Sequence, residues 1–419
     1  MTKLVVIGQG YVGIPLSVRA AEVGFEVVGF DIDKDRVDQL RGGDSPVEDI
    51  TTERLAAVRA DGTYTPSSDP DDLAGFQVAV ISVPTPLRDH QPDLGHIEEA
   101  GRTLASRLTP GATVVLESTT WPGTTDELLR PILEAGSGLV AGTDFHLGYS
   151  PERVDPGNTT WTLENTPKVV SGIDAASLAA VEAFFDAIVE TTVAVPTTRE
   201  AELAKLLENT FRHVNIALVN ELAMFAGDLG IDIWATIDAA STKPFGFMRF
   251  TPGPGVGGHC LPIDPSYLSW RVKQSLGQAF RFVELANDIN DHMPDYVIRR
   301  LTAALNDREL SVKGRRILVL GLSYKRDTGD ARQSPSQPIC RQLVALGADV
   351  RAVDPHVAGD QTPPGVTRVE LTADELRAAD SVLVLVDHSE FDPALVAREA
   401  QHVLDTRHWL GPGPGVEHL

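Results

Sequence analysis

The apolar positions of the N-terminal third fall in short runs divided by longer stretches of mixed character. Lys3–Ile7 (KLVVI) is a continuous apolar run, the pattern of a buried strand. GQGYVG follows from Gly8 to Gly13, then a helix to about Val23 that stops at Gly24. Glu26–Phe30 (EVVGF) is the next strand and runs into Asp31. Gln77–Val83 (QVAVISV) and Thr113–Glu117 (TVVLE) read as further parallel strands. Between them Asp93 is the expected N-cap of a helix with Leu94, Ile97, Leu104 and Leu108 on its apolar face, stopped by Pro110-Gly111. Strands alternating with helices predict a parallel, doubly wound sheet.

From about Arg199 the period changes. Leu203, Leu206, Leu207, Phe211, Val214, Leu218, Leu222 and Phe225 recur at steps of three and four, which predicts one long amphipathic helix ending near Gly227 or Gly230. Further helices are expected from Pro265 to about Leu276 and again from Phe280. At Arg315 the strand pattern restarts with RRILVLG, then a helix carrying Ile339, Leu343 and Leu346, then DVRAVDP and SVLVLV (Ser381–Val386). The tail GPGPGVEHL has no period and is expected to fray. The fold class is therefore α/β: two Rossmann-like doubly wound domains, 1–198 and 301–419, joined by a central all-helical domain, 199–300.

Composition narrows the function classes. A net charge of −23 excludes a nucleic-acid footprint as the main surface, and leaves a small anionic ligand only where the site is locally basic. Two cysteines in 419 residues exclude a disulfide framework and suit a reducing, cytoplasmic setting. With no apolar window of membrane-spanning length and no N-terminal signal pattern, no membrane role is expected.

Three stretches carry chemistry. Gly8, Gly10 and Gly13 form G-x-G-x-x-G between a strand and a helix, and Asp31 ends the next strand. Bare glycines let a backbone approach a pyrophosphate at the positive helix end, and the Asp31 carboxylate suits a ribose diol while repelling a 2′-phosphate; NAD is the expected cofactor. The second stretch is GPGVGGHCLPIDP, where Cys260 closes a glycine loop that leaves backbone room for a ligand and precedes Asp264-Pro265, a helix-start pair. A thiol near a helix N-terminus and a lysine serves as a nucleophile, although a lone cysteine is as readily a small core residue. His259 fits a catalytic base or a loop hydrogen-bonder, and Cys340, beside Ile339 and Leu343, reads as core. The third is GLSYKRDTGDAR, whose Lys325, Arg326 and Arg332 suit a diphosphate or a solvated loop equally. Lys205 and Asn209 stand one turn apart on the long helix, away from its apolar stripe, as a solvated face also would. Thr120, after a strand of the first domain, and Glu152 in YSPER each read as site or turn residues.

Taken in order, GQGYVG, SVPTP, ESTTWPGTT, GYSPERVDPGN, AELAKLLENTF, GPGVGGHCLPIDP and YKRDTGDARQSPS resemble the nucleotide-sugar 6-dehydrogenase family, which includes UDP-glucose dehydrogenase. The resemblance runs along nearly the whole chain. It implies an N-terminal NAD domain, a central helical domain that forms a homodimer, and a C-terminal domain that holds the nucleoside diphosphate of the sugar. It implies a four-electron oxidation of the sugar C6 alcohol to the uronic acid, with two NAD consumed and no metal ion, of the kind that feeds polysaccharide or glycoside biosynthesis. Cys260 matches the family nucleophile and Asp264 its partner. Lys205 and Asn209 match the pair that contacts the reacting end of the sugar, and Thr120 and Glu152 the residues tied to a catalytic water and thioester hydrolysis. Tyr11 and Val12 within the glycine turn, Arg36, Pro84 and Thr85 join Gly8, Gly10, Gly13, Asp31 and Thr120 on the cofactor side, with Arg332 from the third domain. Gly255, Gly257, Gly258, Lys325 and Arg249 join Glu152, Lys205 and Asn209 on the substrate side, Arg249 as a residue that reaches its own or a partner's substrate.

The match departs from UDP-glucose enzymes at Ile263, where they carry a lysine, and GPGVGGHC with SPERVDPGN is closer to the branch acting on UDP-N-acetylhexosamines; UDP- or TDP-glucose also stay open. Two rivals remain: a two-electron hydroxyacid-type dehydrogenase, which needs neither Cys260 nor a second α/β domain, and a non-enzymatic NAD-binding protein.

Overall fold

The computed structural model describes residues 1–419 except 48, 89, 90, 156, 157, 159, 259, 260 and 262. The chain folds as two compact units, residues 1–208 with 266–276 and residues 209–265 with 277–419.

The first unit is built on an eight-stranded sheet. Tyr64–Ser67, Glu26–Phe30, Lys3–Ile7, Val78–Ile81, Thr113–Leu116 and His146–Tyr149 lie side by side in that order, all parallel. Lys168–Gly172 joins antiparallel to His146–Tyr149, and Thr192–Ala194 closes the edge parallel to it. The central strands are buried, as continuous Val/Ile/Leu runs demand when helices cover both faces. The helix Gly13–Glu22 starts at the last glycine of the turn, as the motif predicts. The helix read from Asp93 is Gly95–Ala105, shorter than expected: Leu94 rather than Asp93 is its N-cap, the Asp93 carboxylate accepts the N–H of Gly95 at 2.9 Å, and it ends before Leu108 and Pro110.

The second unit holds a six-stranded, all-parallel sheet in the order Thr367–Arg368, Asp349–Val353, Arg316–Leu320, Ser381–Val384, Val403–Asp405, Val416–His418. The last strand corrects the expectation of a frayed tail. Three residues are too few to show a period, so the pairing with Val403–Asp405 is invisible in the sequence. Gly415, at φ +75°, makes the turn that brings it alongside. Leu419 is buried, and its carbonyl accepts the indole N–H of Trp234 at 3.2 Å.

The two sheets differ at their carboxyl ends, where open α/β sheets bind ligands. In the second, Asp354 follows its strand as Asp31 does in the first, but it is spent on the protein itself. It accepts the N–H groups of Leu322 at 2.6 Å, Ser323 at 3.1 Å and Val357 at 2.8 Å, and meets buried His388 Nε2 at 3.1 Å. Burial would raise this carboxyl; His388 and the N–H donors of Leu322 and Val357 more than reverse that and hold it well below the usual carboxylate range. A depressed carboxyl stabilises the fold above its ordinary pKa and loses that contribution as pH falls towards the folded value. Asp354→Asn is therefore expected to lower stability by roughly 2–4 kcal/mol at pH 7, the cost of breaking a buried charged network. Urea melts of both proteins should show the gap narrowing below about pH 4.

The long helix, Thr198–Asp228, has the predicted extent but not the expected orientation. Leu207, Phe211, Leu218, Leu222 and Phe225 are exposed, Leu207 at 62%, while Ala201, Glu202, Lys205, Leu206, Thr210, His213, Ala217 and Asn220 are buried. Periodicity identifies which residues share a face; it does not say which face the chain covers. No helix among the described residues is long and apolar enough to cross a membrane.

Candidate active site

The glycine turn is packed to its limit. A Cβ on Gly13 would lie 1.8 Å from the Gly8 carbonyl oxygen, and one on Gly8, where φ is +95°, 2.5 Å from the Ser82 carbonyl oxygen. A Cβ on Gly10 meets only the Arg36 guanidinium, at 3.6 Å. The turn is thus closed at Gly8 and Gly13 and open at Gly10. The Asp31 carboxylate accepts the N–H groups of Gln9 at 2.8 Å and Asp33 at 2.9 Å, and Arg36 donates to the Gln9 carbonyl at 3.1 Å. Tyr11 is exposed and Val12 half-buried at the mouth. Pro84 is exposed, and buried Thr85 accepts the Tyr267 hydroxyl on its carbonyl. Room at Gly10 above a helix N-terminus, with a carboxylate at the neighbouring strand end, fits NAD.

Beyond the turn, the first unit holds a buried polar centre. Lys205, 9% exposed, donates Nζ to the Glu152 carbonyl at 2.6 Å. The Glu152 carboxylate accepts the N–H groups of Arg153 at 2.8 Å and Val154 at 2.6 Å on Oε1, and lies 3.3 Å from Lys168 Nζ on Oε2. Burial would raise Glu152, but Lys168, the Val154 N–H and Lys205 together hold it below its ordinary pKa. Lys168 in turn binds Glu117. The sequence marks neither Glu117 nor Lys168 as a site residue; the available signal is a single charge at one end of each short strand run, TVVLE and KVVSG. Thr120 is fully buried with its hydroxyl against that of Thr124, and Thr119 beside it is half-buried. This turn is pinned by Glu202 of the long helix, which accepts the N–H groups of Gly123 at 2.5 Å and Thr125 at 2.9 Å.

In the second unit, Asn209 Nδ2 donates to Asp264 Oδ2 at 2.5 Å. Asp264 therefore does more than open the helix Asp264–Leu276. Cys260 and His259 lie outside the described residues. The flanking glycines are packed on protein: a Cβ on Gly258 would lie 2.7 Å from the Tyr324 ring, one on Gly257 2.8 Å from the Gln333 carbonyl oxygen, and one on Gly255 3.2 Å from Pro335. A side chain at any of these three positions would press on the 324–335 segment. Arg332 pairs with Asp330 at 2.7 Å and Arg326 with Asp387 at 3.2 Å, and Lys325, next to Arg326 in sequence, is half-buried. Arg249 is half-exposed and pairs with Asp238 at 2.8 Å. Cys340 is buried as expected, and burial pushes its thiol up to about 12.

A glycine turn that fits NAD and a second sheet without one point to a dehydrogenase that carries a separate domain for its other ligand. The comparisons define the class: the NAD binding, central and UDP binding domain models of the UDP-glucose/GDP-mannose dehydrogenase family match residues 2–189, 199–292 and 318–412. The chain is 37% identical over 394 residues, 93% of its length and 91% of the relative's, to a UDP-N-acetyl-D-glucosamine 6-dehydrogenase of Pseudomonas aeruginosa. It is 35% identical over 390 residues, 93% and 90%, to a UDP-N-acetyl-D-mannosamine dehydrogenase of Pyrococcus horikoshii. A solved structure of a UDP-D-ManNAc dehydrogenase from Pyrococcus horikoshii superposes with a TM-score of 0.90 at 32% identity, covering 100% of this chain and 99% of that one. The chain belongs to the UDP-glucose/GDP-mannose dehydrogenase family, and is an NAD-dependent oxidoreductase of nucleotide sugars.

Proposed function

We propose that this enzyme oxidises the C6 hydroxyl of a UDP-N-acetylhexosamine to the uronate in two successive two-electron steps, through a thiohemiacetal and a thioester on Cys260. The observation that supports it best is the sequestration of Lys205 and Asn209, one turn apart on a helix, on the Glu152 carbonyl and the Asp264 carboxylate. Lys205 is buried and Asn209 half-buried, and polar side chains withdrawn from water yet held by hydrogen bonds are a common feature of reactive sites. The names of the relatives and Ile263 in place of a lysine favour the N-acetylated sugar over UDP-glucose.

When bound at the glycine turn, NAD takes up the two electrons of each oxidation. In the first step the alcohol loses its proton to Asp264 or Lys205, directly or through a water, leaving the aldehyde. The Cys260 thiolate then adds to the aldehyde carbon, because a carbonyl carbon must become tetrahedral before it is oxidised again. Lys205 and Asn209 supply donors for the oxygen that becomes negative. The second oxidation gives the thioester. Water, placed by Glu152 and the Thr120 turn, breaks the C–S bond, releasing the acid and returning the thiol. Lys325 and Arg332, with Arg249, supply positive charge for the diphosphate and cofactor phosphates. We assign residues 1–198 to NAD, 199–300 to the helical dimer core and 301–419 to the nucleoside diphosphate. Comparing kcat/KM for UDP-GlcNAc, UDP-ManNAc, UDP-glucose and TDP-glucose tests the substrate. An N-acetylated sugar should lead by at least about ten-fold, the worth of one well-placed polar contact; a lead for either glucose would overturn the assignment.

The exposed apolar stripe of the long helix supports a homodimer built on it. Changing both Leu218 and Leu222 to aspartate places charges on that stripe. Light scattering should find wild type at twice 45.1 kDa and the double variant at 45.1 kDa. A monomeric wild type would contradict the dimer.

A further inference from the structure

Glu117 and Lys168 have no role in the mechanism above, yet they form the most deeply buried ionic group of the first unit. Glu117 follows the strand Thr113–Leu116 and is 1% exposed; Lys168 opens the strand Lys168–Gly172 and is 3% exposed. The two residues are 51 apart in sequence and meet because the sheet sets their strands on either side of His146–Tyr149. Lys168 Nζ binds Glu117 Oε1 and stands 3.3 Å from Glu152 Oε2, so one ammonium bridges two carboxyl groups. The other oxygen of Glu117 is buried without a hydrogen-bond partner.

Burying three ionisable groups is a poor way to gain stability, since packed apolar side chains of the same volume do as well. The arrangement does have a geometric result. Glu152 is held from both sides, Oε1 by the N–H groups of Arg153 and Val154 and Oε2 by Lys168. Lys205 fixes the backbone of the same residue through its carbonyl. The reach of Lys168 is set at its far end by Glu117.

We infer that Glu117 is a positioning residue which, by holding Lys168, sets the orientation and proton affinity of the Glu152 carboxylate during thioester hydrolysis. The inference rests on the reading of Glu152 given above. Burial pushes Glu117 up to about 7, with Lys168 opposing and Glu152 adding to the rise. The charged groups facing this pair are Lys168 from its strand, Glu152 from the segment after His146–Tyr149, and Lys205 from the long helix. When Glu117 ionises, Lys168 is shared between two carboxylates and Glu152 becomes the better base. When Glu117 is protonated, Lys168 is drawn onto Glu152 alone.

The test measures hydrolysis apart from oxidation. Enzyme, NAD and UDP-GlcNAc are mixed and acid-quenched at intervals. Intact mass reports the Cys260 acyl-enzyme and absorbance reports NADH, from pH 5.5 to 9. Glu117→Gln keeps the shape and removes the charge. It should accumulate acyl-enzyme, slow its breakdown about 10–100-fold, and lose the limb near neutrality that wild type shows. Lys168→Gln removes the cation from Glu152 and should move the hydrolytic limb to higher pH, a shift that a merely structural role would not produce. Either variant, if it folds, suffices to decide; the thermal melt reports which does. Breakdown in Glu117→Gln at the wild-type rate and pH profile, or a limb in Lys168→Gln that stays in place, would overturn the inference. If wild type yields one NADH per sugar, the thioester reading fails first; two NADH with an indifferent Glu117→Gln sinks this inference alone.

Discussion

Cys260→Ala is expected to abolish uronate formation, by a factor of about 10³ or more, while the first oxidation continues. The chemistry gives the reason. An aldehyde carbon has no leaving electron pair to give until a nucleophile adds, and alanine supplies none. The product should be the aldehyde or its hydrate, found by mass spectrometry of the nucleotide sugar, with NADH formed to at most one per sugar. Cys340→Ala is the matched control. Its thiol is buried in the second unit among Ile339 and Leu343 and pushed up to about 12, so it is inert as a nucleophile. Its loss should cost some stability but no product. Uronate made at the normal rate by Cys260→Ala would remove the cysteine from the mechanism.

Gly13→Ala is expected to weaken NAD binding by about 100-fold or more, or to prevent folding of the first unit. The added methyl carbon would sit 1.8 Å from the Gly8 carbonyl oxygen and 2.7 Å from Ser82 Oγ. A serine hydroxyl can rotate away; a backbone carbonyl cannot without opening the turn and moving the start of the helix Gly13–Glu22. Gly10→Ala provides the contrast. Its methyl meets only the Arg36 guanidinium at 3.6 Å, so the variant should melt at the wild-type temperature. It should nonetheless bind NAD at least about ten-fold more weakly, because the space it fills is where a pyrophosphate approaches the backbone. Calorimetric NAD titration beside thermal melts separates the two. Wild-type NAD affinity in Gly10→Ala would show that the opening is not the pyrophosphate site.

The parts of the fold legible in the sequence were those set by local rules. The first strand, the glycine turn, the helix after it and the second strand were read to within a residue, because a buried strand, a positive-φ turn and a helix start each leave their own mark. The long helix was equally legible in length. Its covered face was not, since the exposed stripe from Leu207 to Phe225 is the more apolar one. The final strand was missed because three residues after a glycine-proline run carry no period. Asp264 shows a different limit: the helix-start signal was sound, yet its carboxylate also takes the Asn209 amide, a contact between residues 55 apart. Glu117 and Lys168 were invisible for the same reason, as each looks like an ordinary charge at the end of a strand until the sheet order brings them together.

The central claim is a double oxidation at one carbon. Its most direct measurement is the NADH formed per molecule of limiting UDP-N-acetylhexosamine when the reaction has run to completion. The account predicts two, with the uronate as product; one NADH per sugar, with an aldehyde or ketone as product, would contradict it.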